Sequence, residues 1–263
     1  MARNSLKNVF SLIEQAKESQ SVETSFLNDL KRSIELTEEK NARKSSQTYK
    51  PSSMNCIRNM WFQVTGTDPD VSNVSACLVG ICESGTDRHE RVQNAVSEMK
   101  SNNIDCEYVD VEKYVKSRHL DYLKVIGKKG NETKLYHKSL NLSFLCDGII
   151  RYKGKYYILE IKTESIYKWQ NRQGVNEAHY NQATAYSIAL GLDDIIFLYI
   201  NRDNTDMKAF MLHVTEEMKQ TLVGKIETCD DYVKKLTCPP KPEDAGAKLC
   251  QYCNYRNSCR RCE

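Results

Sequence analysis

No stretch of this 263-residue sequence stays apolar for the roughly 20 residues that a membrane-spanning helix requires. The opening residues, MARNSLKNVFSLIEQAKES, mix charge with apolar side chains and lack the apolar core of a secretory signal. A cytoplasmic protein is therefore expected, with no membrane partner and with thiols kept reduced. An excess of one charge sign is missing too. The 38 Lys and Arg are set against 35 Asp and Glu, so the net charge is only +3. That balance gives little support for nucleic-acid binding, and any basic groove must be assembled by folding. There is no internal repeat and no low-complexity tract. Cysteine, by contrast, is abundant: eleven residues, five of them between Cys238 and Cys262. In a reducing compartment such a cluster more often holds a metal than a disulfide.

Residues 1–45 read as two helices, with Leu6, Val9, Phe10, Leu12 and Ile13, then Phe26, Leu27, Leu30, Ile34 and Leu36, at helical spacing. They lead into a polar linker, NARKSSQTYKPSS, and form an N-terminal helical arm, which either serves a protein partner or packs on the main body. Residues 46–263 form the main domain. Ser53 is expected to cap a helix through MNCIRNMWFQVTG. A second helix is expected after Gly85, with Val92, Ala95, Val96 and Met99 as its apolar stripe. A short helix near 111–118 and the strand-like KLYHKSLNLSFL precede a hairpin. Then come a helix, NEAHYNQATAYSIALGL, stopped near Gly191, and the apolar run DIIFLYINRD, which has the pattern of a buried strand. A further strand, MKAFMLHVT, and the long helix EEMKQTLVGKIETCDDYVKKL complete the series. This order implies an α/β fold, a mixed central β-sheet flanked by helices.

The hairpin CDGIIRYKGKYYILEIKT, residues 146–163, places acids among strand formers. Lys153-Gly154 suits a two-residue turn, since Gly supplies positive φ. With that turn, Tyr152 faces Lys155 and Asp147 faces Glu160, on one side of the sheet, with Cβ atoms roughly 4.5–5.5 Å apart. Lys162, two residues on, points the same way. Two carboxylates so placed repel, and one can take up a proton. A divalent ion between them removes the conflict, and hard oxygen ligands suit Mg²⁺ or Mn²⁺. The plainer alternative is a solvent-facing hairpin with ordinary ion pairs.

Asp147 with Glu160-Ile161-Lys162 resembles the core motif of the PD-(D/E)XK nucleases. Three further motifs resemble the RecB-like iron–sulfur branch: GTDRH from Gly85 to His89, QATAY from Gln182 to Tyr186, and CQYCNYRNSC, with Cys250, Cys253 and Cys259 spaced CxxCx5C. Cys56 stands where that branch carries a distant upstream cysteine. The likeness covers roughly residues 50–260, in the family's order, and is nearest to CRISPR-associated RecB-like exonucleases and the AddB nuclease domain. It implies a restriction-endonuclease-like core and a bacterial or viral source. It also implies an exonuclease that hydrolyses DNA phosphodiesters at single-stranded or frayed duplex ends with Mg²⁺ or Mn²⁺. By the same likeness His89, Asp147, Glu160 and the Ile161 carbonyl hold the metal, and Lys162 orients the nucleophile. Gln182 and Tyr186 stand beside the site, contacting DNA phosphate or the lysine. Cys56, Cys250, Cys253 and Cys259 are implied ligands of a structural [4Fe–4S] cluster that clasps both ends of the domain.

Other assignments stay open. Four thiolates also suit zinc, and Cys262 could join Cys250, Cys253 and Cys259 in place of Cys56. Cys77, Cys82, Cys106 and Cys146 read as small core residues. Lys168, Trp169 and Arg172, in KWQNRQG, form either a loop gripping single-stranded DNA by phosphate contacts and stacking, or a plain surface loop. The alternatives to an enzyme are a non-catalytic adaptor that binds DNA ends and a zinc-bearing DNA-binding protein.

Overall fold

The computed structural model describes residues 21–41, 44–70, 75–129, 132–242, 247–251 and 253–262. The first of the two expected arm helices lies outside the described residues. The chain divides into two compact units, Met1–Ala42 with Val71–Cys82, and Arg43–Asp70 with Glu83–Glu263. In the first unit, Ser21 caps helix α1 (Val22–Lys40), its hydroxyl accepting the Thr24 N–H at 3.3 Å. No residue of α1 is buried, and Phe26, Leu27 and Leu30 are exposed.

The second unit holds a five-stranded sheet in the order β1 (Cys106–Val109), β5 (Gly148–Tyr152), β6 (Lys155–Glu164), β7 (Asp194–Asn201), β8 (Met207–His213). Only the β6–β7 pair is parallel, so the sheet is mixed. A separate antiparallel sheet comprises β2 (Leu123–Lys129), β3 (Glu132–His137) and β4 (Leu142–Cys146). The helices α2 (Ile57–Val64), α3 (Ala76–Glu98), α4 (Val111–Ser117), α5 (Ile166–Gln170), α6 (Tyr180–Leu190), α7 (Glu216–Lys234), α8 (Ala247–Gln251) and α9 (Arg256–Arg260) complete the described elements.

Strand alternation assigns the two faces of the large sheet. Ile149, Ile158, Ile195, Phe197 and Tyr199 pack with Ala183, Ala189 and Leu190 of α6 and with Leu222 and Ile226 of α7. Their neighbours Ile150, Leu159, Ile161 and Ile200 pack with Val92 of α3. Helices thus cover both faces, which is why β6 and β7 read as nearly continuous apolar runs.

The β5–β6 hairpin has the register expected from its turn. Tyr152 pairs with Lys155 and Gly148 with Leu159. Lys153 (φ 48°) and Gly154 (φ 81°) both take the left-handed conformation that a tight two-residue turn demands. Gly148 is required for a different reason. A Cβ there would lie 2.7 Å from the Tyr108 ring, whose hydroxyl bonds the Asp147 carbonyl.

Several helix boundaries differ from the expectation. Ser53 ends a 3-10 turn, and Cys56 is the N-cap residue of α2. Helix α3 starts at Ala76, because the Ser75 hydroxyl accepts the Leu78 N–H at 3.2 Å, and it runs through Gly85. Ala95 is exposed; Val92 and Gln93 carry the buried face, with Val96 and Met99 half-buried. Cys106 and Cys146 are buried as expected, but Cys77 and Cys82 are exposed.

Candidate active site

Four elements converge on the end of the hairpin. Beyond the Gly148–Leu159 pair the ladder stops, and the Asp147 carboxylate takes the place of the next strand partner, its Oδ2 accepting the Ile161 N–H at 2.8 Å. In an extended strand a residue's N–H and C=O lie on the same side, so the Ile161 carbonyl also faces Asp147. The Asp147 peptide is held in turn by Gln93, which donates to its carbonyl at 2.7 Å, and by the Tyr108 hydroxyl. Glu160 is buried (2% exposed), as is Asp147 (6%), so the picture of a solvent-facing hairpin does not hold.

Glu160 Oε1 accepts from Lys162 Nζ at 2.6 Å and from Gln182 Nε2 at 2.7 Å. Its other oxygen, Oε2, is buried with no hydrogen-bond partner. A bare buried carboxylate oxygen costs on the order of 1–3 kcal/mol or more unless a cation takes it. Burial raises the Glu160 pKa and the Lys162 ammonium pulls it down, while Asp147 adds to the rise; the net direction is upward. Gln182 and Tyr186 lie one turn apart on α6, both buried. The Gln182 amide donates to Tyr186 Oη at 2.8 Å and its oxygen accepts from Lys162 at 3.1 Å; the Tyr186 hydroxyl donates to the Leu145 carbonyl at 3.2 Å. Both residues therefore orient the acid and the lysine from behind.

His89, on α3, closes the other side. Its Nδ1 lies 3.6 Å from Asp147 Oδ2 and 3.8 Å from Glu132 Oε1. Burial opposes its charge, but hydrogen bonds to Asp147 and Glu132 and the charges of Asp147 and Glu160 outweigh that and raise its pKa to about 9. His89, Glu132 and Asp147 place ligand atoms within 4.8 Å of one another and could hold a metal ion. Glu132, Gln93 and Tyr108 escaped the sequence analysis. For Glu132 the missing signal was the β3–β4 register.

Four of the cysteines gather elsewhere. Cys56, Cys250, Cys253 and Cys259 line one cavity of about 500 Å³ with Arg58, Asn59 and Phe62. Arg58 donates to Cys259 Sγ at 3.3 Å, and the Tyr255 N–H to Cys253 Sγ at 3.4 Å. Cys262 is not among the residues lining this cavity and lies beside Cys238.

The KWQNRQG segment is mostly engaged internally. Arg172 forms a two-pronged ion pair with buried Glu164 and stacks over the Tyr199 ring at 4.5 Å. Trp169 donates to the Tyr199 carbonyl at 3.2 Å and carries Lys208 over its ring. Lys168 is exposed.

Among proteins of known family, no family model matches this chain, and no curated protein matches it. Several solved structures do. SSO0001 shares 17% identity over 93% of this chain and 98% of its own, with a TM-score of 0.45. LHK-Exo in complex with dAMP shares 11% identity over 72% of this chain and 89% of its own, at 0.41. The alkaline exonuclease LHK-Exo from Laribacter hongkongensis shares 10% over 73% and 90%, at 0.39.

Proposed function

We propose that this protein is a metal-dependent DNA nuclease, an exonuclease that hydrolyses phosphodiester bonds at single-stranded or frayed ends using Mg²⁺ or Mn²⁺. The observation that carries this is the Asp147–Glu160 pair: two buried acids at the open end of a hairpin, one with an unbonded oxygen, a lysine beside it and an imidazole opposite. That donor set fits a hard divalent ion, with His89, Asp147, Glu160 and the Ile161 carbonyl as its holders. Bound there, the ion would acidify a water and offset charge on the scissile phosphate. An ammonium has three N–H donors, and Lys162 gives two to Glu160 and Gln182. The third is left to orient a water or to stabilise charge building on a phosphate oxygen. Because Gln182 fixes the lysine and Glu160 together, the donor is positioned before substrate arrives.

The resemblance of the motifs to the RecB-like branch supports DNA as the substrate class and a structural [4Fe–4S] cluster on Cys56, Cys250, Cys253 and Cys259. Those four sulfurs line one cavity. Tetrahedral zinc, with Zn–S near 2.3 Å, would draw its sulfurs to about 4 Å from one another. Iron and acid-labile sulfide analysis of the purified protein separates the two: the cluster reading expects both, and zinc in their place would overturn it.

Lys162→Ala should slow Mn²⁺-dependent digestion of end-labelled DNA by about 10²–10³-fold, the scale of losing one transition-state donor, while DNA binding measured by gel shift is kept. Equal rates in wild type and variant would favour a non-catalytic end-binding adaptor. Metal affinity should also depend on pH. Below pH 9 His89 carries both ring protons and must lose one to ligate. Mn²⁺ affinity, read by calorimetry, should therefore climb by up to about tenfold per pH unit from pH 7 and level off above 9. A flat profile would remove His89 from the ligand set.

A further inference from the structure

The small sheet delivers an acid to the same place from the other side. β4 ends at Cys146 and β5 begins at Gly148, so Asp147 is the single residue at which the chain passes from the three-stranded sheet to the five-stranded one. The β3–β4 ladder pairs Thr133 with Cys146. One step further in the same register, Glu132 stands across from Asp147. The β5–β6 ladder pairs Gly148 with Leu159. One step further there, Glu160 stands across from Asp147. Asp147 thus has an acid opposite it in each sheet.

The side chains agree with the registers. Thr133, Leu135 and His137 point into the core, so the alternate residue Glu132 faces the other way. Its Oε1 lies 3.8 Å from His89 Nδ1, and the His89, Glu132 and Asp147 ligand atoms gather within 4.8 Å. A separate observation points to a cation: Glu160, 2% exposed, keeps a buried Oε2 without a partner. Glu132 and Asp147 flank one imidazole, and the Glu160 charge acts on it too; beside a single ammonium, three carboxylates leave negative charge that a divalent ion would neutralise.

Resting on the metal-site reading above, we propose that Glu132 is a further ligand of that ion, so that the ion ties β3 of the small sheet to the β5–β6 hairpin of the large one. The ion then has a structural consequence besides chemistry, because it adds a restraint on β2 and β3 to the β4 pairing and the core packing of Leu123 and Leu135.

Mn²⁺ affinity by calorimetry and amide hydrogen exchange by mass spectrometry, with and without Mn²⁺, test this in wild type, Glu132→Gln and Glu160→Gln. Wild type should bind Mn²⁺ and slow exchange in β2 and β3. Glu132→Gln should bind about tenfold or more weakly. At saturating Mn²⁺ it should leave β2 and β3 unprotected while β5 and β6 still respond. If Glu132→Gln keeps wild-type affinity and protection while Glu160→Gln loses binding, the proposal is overturned and the metal site stands. If wild type binds no Mn²⁺, both fall.

Discussion

Asp147→Asn should reduce Mn²⁺-dependent DNA hydrolysis by on the order of 10⁴-fold or more, the scale at which loss of a central catalytic group leaves only binding and positioning. The fold should survive. An asparagine oxygen can still accept the Ile161 N–H that Asp147 accepts at 2.8 Å. The carbonyl held by Gln93 and Tyr108 belongs to the backbone and is unchanged. Removing the charge also relieves its repulsion of Glu160, whose pKa Asp147 helps to raise. The variant also loses the attraction between Asp147 and His89, so the two changes oppose each other and the midpoint of thermal unfolding without metal should change little. A variant that unfolds, or one that cuts DNA at the wild-type rate, would contradict this account of Asp147.

Cys253→Ser should do the opposite: large harm to stability, small harm to chemistry. Iron and acid-labile sulfide should be lost together with the visible charge-transfer absorption. The melting midpoint should fall by about 10 °C or more, because the free energy of binding a structural centre is folding free energy. The cause lies in where the ligands sit. Cys56 opens α2 while Cys250, Cys253 and Cys259 lie in or beside the last two described helices, so the proposed cluster would close a loop of nearly two hundred residues. Below its new melting point the variant should still cleave DNA within about tenfold of wild type, since the described group of possible ligands at the acids, His89, Glu132 and Asp147, contains no cysteine. Cys238→Ser, at a cysteine that is not among those lining the cavity, should keep its iron. Full iron content in Cys253→Ser, or zinc in wild type, would overturn the assignment.

The hairpin was readable from sequence because one local feature sets it. Lys153-Gly154 permits two consecutive positive-φ residues, and the turn length then dictates every pair up to Gly148–Leu159. The mixed sheet was readable for a related reason: β6 and β7 are covered on both faces and so appear as apolar runs. What sequence could not supply was pairing set by contacts far along the chain. Glu132 reaches Asp147 through the β3–β4 ladder, whose four-residue connection carries no comparable turn signal. Gln93 and Tyr108 act on a backbone carbonyl, which no motif records. Helix ends failed where a cap-type residue did not cap, as at Ser53, which ends a 3-10 turn while α2 starts after Cys56 without a side-chain cap, or where glycine looked like a boundary. Gly85 sits inside α3, and a Cβ there would meet Thr163 at only ordinary contact distance. Arg172 and Trp169 suggested a nucleic-acid grip because their types suit one, but Glu164, Tyr199 and Lys208 already occupy them.

The most direct measurement is the anomalous difference density of a crystal grown with Mn²⁺ and recorded at the manganese absorption edge. The account predicts one strong peak within about 2.5 Å of His89, Asp147 and Glu160. Density absent from that place, or confined to exposed acids elsewhere on the surface, would contradict it.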